Sequence, residues 1–463
     1  MTEQLKLKLN DSKATRWGAL VIVAFTMMAA YYVNDVVAPL KTMLETDLAW
    51  SSTDFGFFTG CYSFLNVFFL MLIWGGLILD RFGIRFTGKL ATILMVGGTA
   101  LEYYAMTGLA GADATLFGIN EIFGYKTGVF VAFAGYSIFG VGAEVAGITV
   151  SKIIAKWFKG KELATAMGVQ VALARIGSQA GYAVAIPLAR AFGISTPVLL
   201  GLVLLLGGMI AFFVFAVMDK KLDKQMEAAA IAAGTEDEEE KFSFKDVKNI
   251  LVNPGFWLIA LLCVLFYSCV FPFQKFASEL MIIKYGINEN VAGTFAGLPA
   301  LGALILTPVF GGFIDKRGKS ASIMLLGSAM LICVHFIYAI PDINYWLVAI
   351  VLMIILGIAF SLVPSAMWPA VAKIFPVSQL GTAYALIFFI QNIGLWGIPT
   401  LIGWVLDAYC ISGKKPDGTN MYDYTVPMCI FTGIACLSLI VALLLKKADK
   451  KYGYKLEEPN IQK

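Results

Sequence analysis

Charge is what this sequence has least of. Asp, Glu, Lys and Arg supply 14% of its 463 residues, against roughly a quarter in soluble domains. So little charge cannot coat a soluble globule of this size. Histidine occurs once, as His335 within CVHFIY, which reads as a packing residue rather than a proton relay. With one histidine there is no HExxH zinc helix; there is also no CxxC, and no nucleophile–base pairing within a polar domain. These gaps exclude enzyme chemistry and leave no reason to expect a metal or other cofactor. The seven cysteines fall mostly inside apolar runs and read as small buried side chains. Cys410 and Cys429 flank one loop and are the only pair worth testing for a disulfide. The formal net charge of +4 is small, so nucleic acid is not an expected partner.

What the sequence has in abundance is apolar length. Hydrophobic residues make up 59%, and runs such as VLLGLVLLLGGMIAFFVFAV and WLVAIVLMIILGIAFSLV are long enough to cross a hydrocarbon core of roughly 30 Å. They must be helices, because lipid cannot satisfy an open sheet edge. The spacing predicts an all-α membrane protein with about twelve transmembrane helices in two pseudo-symmetric six-helix bundles. The expected parts are a tail at 1–16, a first bundle at 17–218, a linker at 219–253, a second bundle at 254–447 and a tail at 448–463. Within the linker, AAAIAAG followed by EDEEE is too polar to span and reads as a solvated tether. Lys and Arg collect in the tails and in every second turn, which places both termini in the cytoplasm.

One short phrase is written twice. AKWFKGKELATA at 155–166 and AKIFPVSQLGTA at 372–383 share A-K-x-F-x-x-x-x-L-x-T-A, and each falls between the fourth and fifth helices of its half. A second echo pairs GGLILDRFGIR at 75–85 with GGFIDKRGK at 311–319, after the second helix of each half. Matching turns at equivalent places describe a duplicated, alternating-access transporter.

The first of these turns, with Gly76, Asp80, Arg81, Gly83 and Arg85, resembles the loop between helices 2 and 3 of the major facilitator superfamily. In that family the loop latches the cytoplasmic side. The second copy, with Asp315 and Lys316, is a weaker version, and both sets are expected to gate. The resemblance also implies a monomer.

The repeated phrase sets a depth scale. Counting inward from Lys156 and Lys161 at about 1.5 Å per residue puts Glu144 about 18 Å deep and Arg175 about 21 Å deep. Charges near the bilayer centre are costly unless they face a partner or a watery cavity. Either the two form a static ion pair that pins two helices, or they bind substrate. The offset between the two copies carries Glu144 onto Ser361 and Arg175 onto Asn392. One half therefore offers both charges and the other neutral polar groups, which suits a zwitterion.

WFKGKELATAMGVQVALARIGS with the preceding GVGAE, YSCVFPF, AMWPAVAKIFP and QLGTAYALIFFIQNIGL are similar to the lysosomal dipeptide-transporter branch of that superfamily. Asp35 and the run from Tyr62 to Asn66 match its first two helices. The resemblance implies a dipeptide carrier seated in the lipid bilayer, in which Glu144 takes the peptide amino terminus and Arg175 its carboxylate. Trp368, Gln391 and Asn392 would line the opposite wall, with Tyr62, Asn66, Tyr267 and Phe271 as further candidates. Adjacent helical residues point about 100° apart, so one of Gln391 and Asn392 is expected to face the cavity.

The branch also suggests uniport. Substrate termini would then replace a mutual attraction between Glu144 and Arg175. A proton-coupled carrier of a small organic anion or amino acid is the rival reading, with Glu144 as the coupling acid ahead of Asp35, Glu102 and Glu279. The tail MTEQLKLKLNDSK shows no acidic dileucine signal, and the expected location is a prokaryotic inner membrane.

Overall fold

The computed structural model describes residues 8–110, 114–158, 161–233 and 244–459. The acidic run at 236–240 lies outside them. Helix α1 (Lys13–Val36) passes through a 3-10 turn into the short α2 (Lys41–Asp47). Then come α3 (Ser52–Phe68) and α4 (Met71–Thr107), followed by α5 (Thr127–Phe158), α6 (Leu163–Phe192) and α7 (Thr196–Ala233). A short α8 (Phe244–Val252) leads to the second half: α9 (Pro254–Tyr285), α10 (Glu289–Ala296), α11 (Leu298–Arg317), α12 (Ser320–Ala339), α13 (Trp346–Ile374), α14 (Val377–Tyr409) and α15 (Thr425–Tyr452). Two small hairpins, β1–β2 (Glu121–Ile122, Tyr125–Lys126) and β3–β4 (Ile411–Lys414, Asn420–Tyr422), decorate loops.

Among the described residues nine spans are long and apolar enough to cross a membrane, and the bent pair α3–α4 makes ten. Two physical details account for the difference from twelve. Helix α4 contains Gly83 at φ 75° and ψ 174°, a conformation that glycine alone adopts readily, so α4 is the end of one span and the whole of the next. Helix α6 carries Gln170, Arg175 and Gln179, which dilute its apolar character. The nine spans, with the second, third and fifth, make two bundles of six. The first and last described residues lie on one side, the terminal side; the other is the far side.

Contacts between the halves gather on the far side. Backbones meet where α3 crosses α14: a Cβ on Gly56 would stand 2.4 Å from the Pro399 carbonyl oxygen, and one on Gly403 would stand 2.3 Å from that of Ser52. Asp407 on α14 accepts from the Thr53 amide and hydroxyl, each at 2.6 Å. Lys41, 1% exposed, is held by Glu45 of its own half and Glu279 of the other. Lys275 on α9 pairs with Asp35 on α1 at 3.0 Å. Buried charges of this kind are tolerated because each is matched. Toward the terminal side a Cβ on Gly76, Gly168, Gly311, Gly312 or Gly381 would meet no other atom within 4 Å.

Cys410 and Cys429 are both free. They are not bridged: Cys410 is buried at the end of α14, while Cys429 is exposed on α15.

Candidate functional site

A cavity of about 620 Å³ lies between the halves and is lined from both. Glu144 and Arg175 both reach it, from α5 and α6. They do not pair with each other, which corrects the expected mutual attraction. The Glu144 carboxylate accepts from the Tyr62 hydroxyl at 3.0 Å. The Arg175 guanidinium lies 4.8 Å from the Phe360 ring centroid and 5.7 Å from that of Tyr31. Matching height does not make a bond: the Arg175 guanidinium turns to the Tyr31 and Phe360 rings, where cation–π attraction can act. Among the described residues Arg175 has no hydrogen bond and no ion pair.

The opposite wall is aromatic and amide. Tyr267 and Phe271 stack at 5.4 Å, Trp368 stacks on Phe388 at 4.8 Å, and the Trp368 indole donates to the Tyr267 hydroxyl at 3.3 Å. Gln391 and Asn392 both line the cavity, where one was expected. The Asn392 amide nitrogen donates back to the Phe388 carbonyl at 2.9 Å, leaving its oxygen without a donor among the described residues. Gln391 instead accepts from the Cys263 thiol at 3.5 Å. Two side chains turned by different partners can reach one space although their Cβ atoms diverge.

Not every candidate arrives. Asn66 is 1% exposed, is absent from the cavity lining and has no hydrogen-bond partner among the described residues. It sits within the first bundle, on the buried face of α3. Ser361 turns its hydroxyl to the Gly357 carbonyl at 2.7 Å, and the neighbouring Phe360 faces Arg175 instead. Tyr31, Phe360 and Lys275 are the residues that sequence reasoning missed. A one-residue shift of the repeat offset would have found Phe360; no local signal marks Lys275.

The turns expected to gate are bound within their own halves. Asp80 pairs with Lys152 at 3.1 Å, Arg85 with Asp223 at 3.0 Å, and Arg81 lies over the Phe82 ring. None of these three contacts of the first turn crosses to the second half. Gly76 lies beside open space and Gly83 makes the kink. In the second copy Lys316 is exposed and Asp315 acts electrostatically on Lys373. Within the repeated phrase, the hydrogen bonds from Arg16 hold the Glu162 carboxyl below the usual carboxylate range.

A chain of two six-helix bundles around a central cavity that carries buried charges has the architecture of a secondary transporter. The profile of the Major Facilitator Superfamily matches residues 20–399 and 276–458, and the chain belongs to that family. It is similar to the human "Lysosomal dipeptide transporter MFSD1", with 29% identity over 454 residues, 95% of this chain and 88% of the relative. Among solved structures it resembles the nucleoside transporter NupG, with a TM-score of 0.68 and 12% identity, covering 92% of this chain and 98% of that one. It also resembles the peptide transporter POT in complex with sulfate, with a TM-score of 0.66 and 15% identity, covering 95% of each. The two structures speak to the fold. The protein is a multi-pass membrane transporter, not an enzyme.

Proposed function

We propose that this transporter moves dipeptides, or similar short zwitterionic peptides, as a uniporter by alternating access. The observation that carries the reading is the separation of Glu144 and Arg175 in one cavity. Each charge keeps capacity for a ligand: Glu144 has one hydroxyl partner and Arg175 none but ring faces. A peptide ammonium matches the first and a peptide carboxylate the second, while the amides of Gln391 and Asn392 suit the peptide bond. A simple organic anion would meet Arg175 but also the Glu144 carboxylate, which repels it. The name of the human relative points to the same substrate class.

The basic turns support placing the terminal side in the cytoplasm, so the present conformation is open to the cytoplasm and closed by the far-side contacts. Rocking of the bundles would close the terminal ends and bring the turn around Asp80, Arg81 and Arg85 toward the turn around Asp315 and Lys316.

Counterflow tests the reading. Proteoliposomes loaded with an unlabelled dipeptide, with no ion gradient, should accumulate labelled dipeptide. Glu144→Gln and Arg175→Ala should each abolish this while the protein stays folded. Normal uptake by either variant contradicts the site, and a requirement for a proton gradient contradicts uniport.

A further inference from the structure

Glu102 differs from the other acids inside the spans. Asp35 has Lys275, Glu279 has Lys41 and Glu144 has Tyr62. Glu102 is 0% exposed, and among the described residues neither of its carboxylate oxygens accepts a hydrogen bond. It lies near the far-side end of α4, which stops at Thr107. A Cβ on Gly135 would stand 2.8 Å from the Glu102 backbone nitrogen, so α4 and α5 touch backbone to backbone at this level.

The next residue of α5 leads to the gate between the halves. Tyr136 donates to the Asn34 carbonyl at 2.8 Å, and Lys275 donates to the same carbonyl at 2.6 Å and to Asp35 at 3.0 Å. Lys275 is also the charge that acts on Glu102. Asp35 from α1, Cys61 from α3 and Glu102 all act on Tyr136 of α5, Lys275 from α9 acts on Glu102, and Tyr103 and Tyr104 stand beside it on α4. Helix α7 has no titratable residue between Thr196 and Met218. Only Lys275 is positive, and Asp35 already takes its charge. An ionised Glu102 would give up hydration without gaining one donor, which a carboxyl avoids by staying protonated.

We propose that Glu102 is a proton-binding site that sets the balance between the two conformations. It holds a proton while the far side is closed. It releases the proton when the Lys275–Asp35 contact parts and water reaches the far-side end of α4. Acid therefore favours the far-side-closed state, and alkali favours far-side opening. The proton leaves and returns on the same side, so it regulates the carrier without being carried.

The test needs no substrate, so its failure leaves the dipeptide reading untouched. Spin labels at Phe117→Cys and Ser412→Cys, one on each half, report far-side separation in full-length protein in lipid nanodiscs, with the exposed Cys333, Cys429 and Cys436 replaced by serine. The long-distance population should grow as the pH is raised. Glu102→Gln, a neutral mimic, should lose that shift and keep the acid-like distribution at every pH; Glu102→Met serves as a second neutral variant. Infrared difference spectra at neutral pH should show a protonated-carboxyl band in the parent that either variant lacks. A variant that titrates like its parent, a parent that does not titrate, or a band that survives the substitution would each overturn the proposal.

Discussion

Lys156 and Lys373 hold the same place in the two copies of the repeated phrase, yet different chemistry holds each of them. Lys156 donates to Asp219 at 2.8 Å and also to Asp223, both on the helical extension of α7. Lys373 donates to backbone carbonyls, those of Lys455 at 3.1 Å and Glu458 at 2.6 Å, on the strap that follows α15. The cavity repeats this division. The first half brings Glu144 and Arg175, and the second brings Trp368, Gln391 and Asn392. Duplication has kept where a tether or a ligand contact sits and has let its chemical type diverge. The shared positions serve the scaffold, and in the proposed reading the divergent cavity side chains serve the substrate.

The comparison breaks most sharply at the cavity. Arg175→Ala should lower apparent dipeptide affinity by about 100-fold or more, since a desolvated charge-assisted contact is lost. Asn392→Ala, its repeat counterpart, should cost about tenfold or less, as a neutral hydrogen bond contributes about 1 kcal/mol. Binding to vesicle-reconstituted protein measures both, and equal losses would contradict the division of labour.

Next in size is the gate. Lys275→Ala leaves Asp35, 7% exposed, without its cation, and should weaken the far-side-closed state by about 3 kcal/mol. Adding Asp35→Ala should restore much of the loss, because both charges are then gone. Far-side thiol labelling reads the change.

Tyr62→Phe should cost about 2 kcal/mol in peptide affinity if its hydroxyl orients Glu144 for an ammonium. Unchanged affinity would make that bond a packing detail.

The smallest effect concerns the two lysines. Lys156→Ala should lower the melting temperature more than Lys373→Ala does. The first leaves a fully buried Asp219 side chain with fewer donors, whereas the carbonyls freed by the second lie in an exposed contact.

The repeat made much of the fold legible, because matching turns at equivalent positions survive in sequence. Depth counting also brought out Glu144 and Arg175, since distance along a helix axis follows from residue number. Direction around the axis does not, which is why a Glu144–Arg175 ion pair stayed open as a reading where Arg175 in fact faces Phe360 and Tyr31. The far-side gate was illegible for another reason. Lys275 meets Asp35 across 240 residues of sequence, and nothing local to either residue announces the partner. Gln391 and Asn392 show the same limit on a small scale, since their separate hydrogen bonds bring both to one cavity.

The most direct measurement is competition by end-blocked substrates in the counterflow assay. One dipeptide would be compared with its N-acetylated and C-amidated forms. The account predicts that each blocked form competes at least tenfold more weakly, since each removes one of the two charges that Glu144 and Arg175 engage. Blocked forms that compete as well as the parent would contradict it.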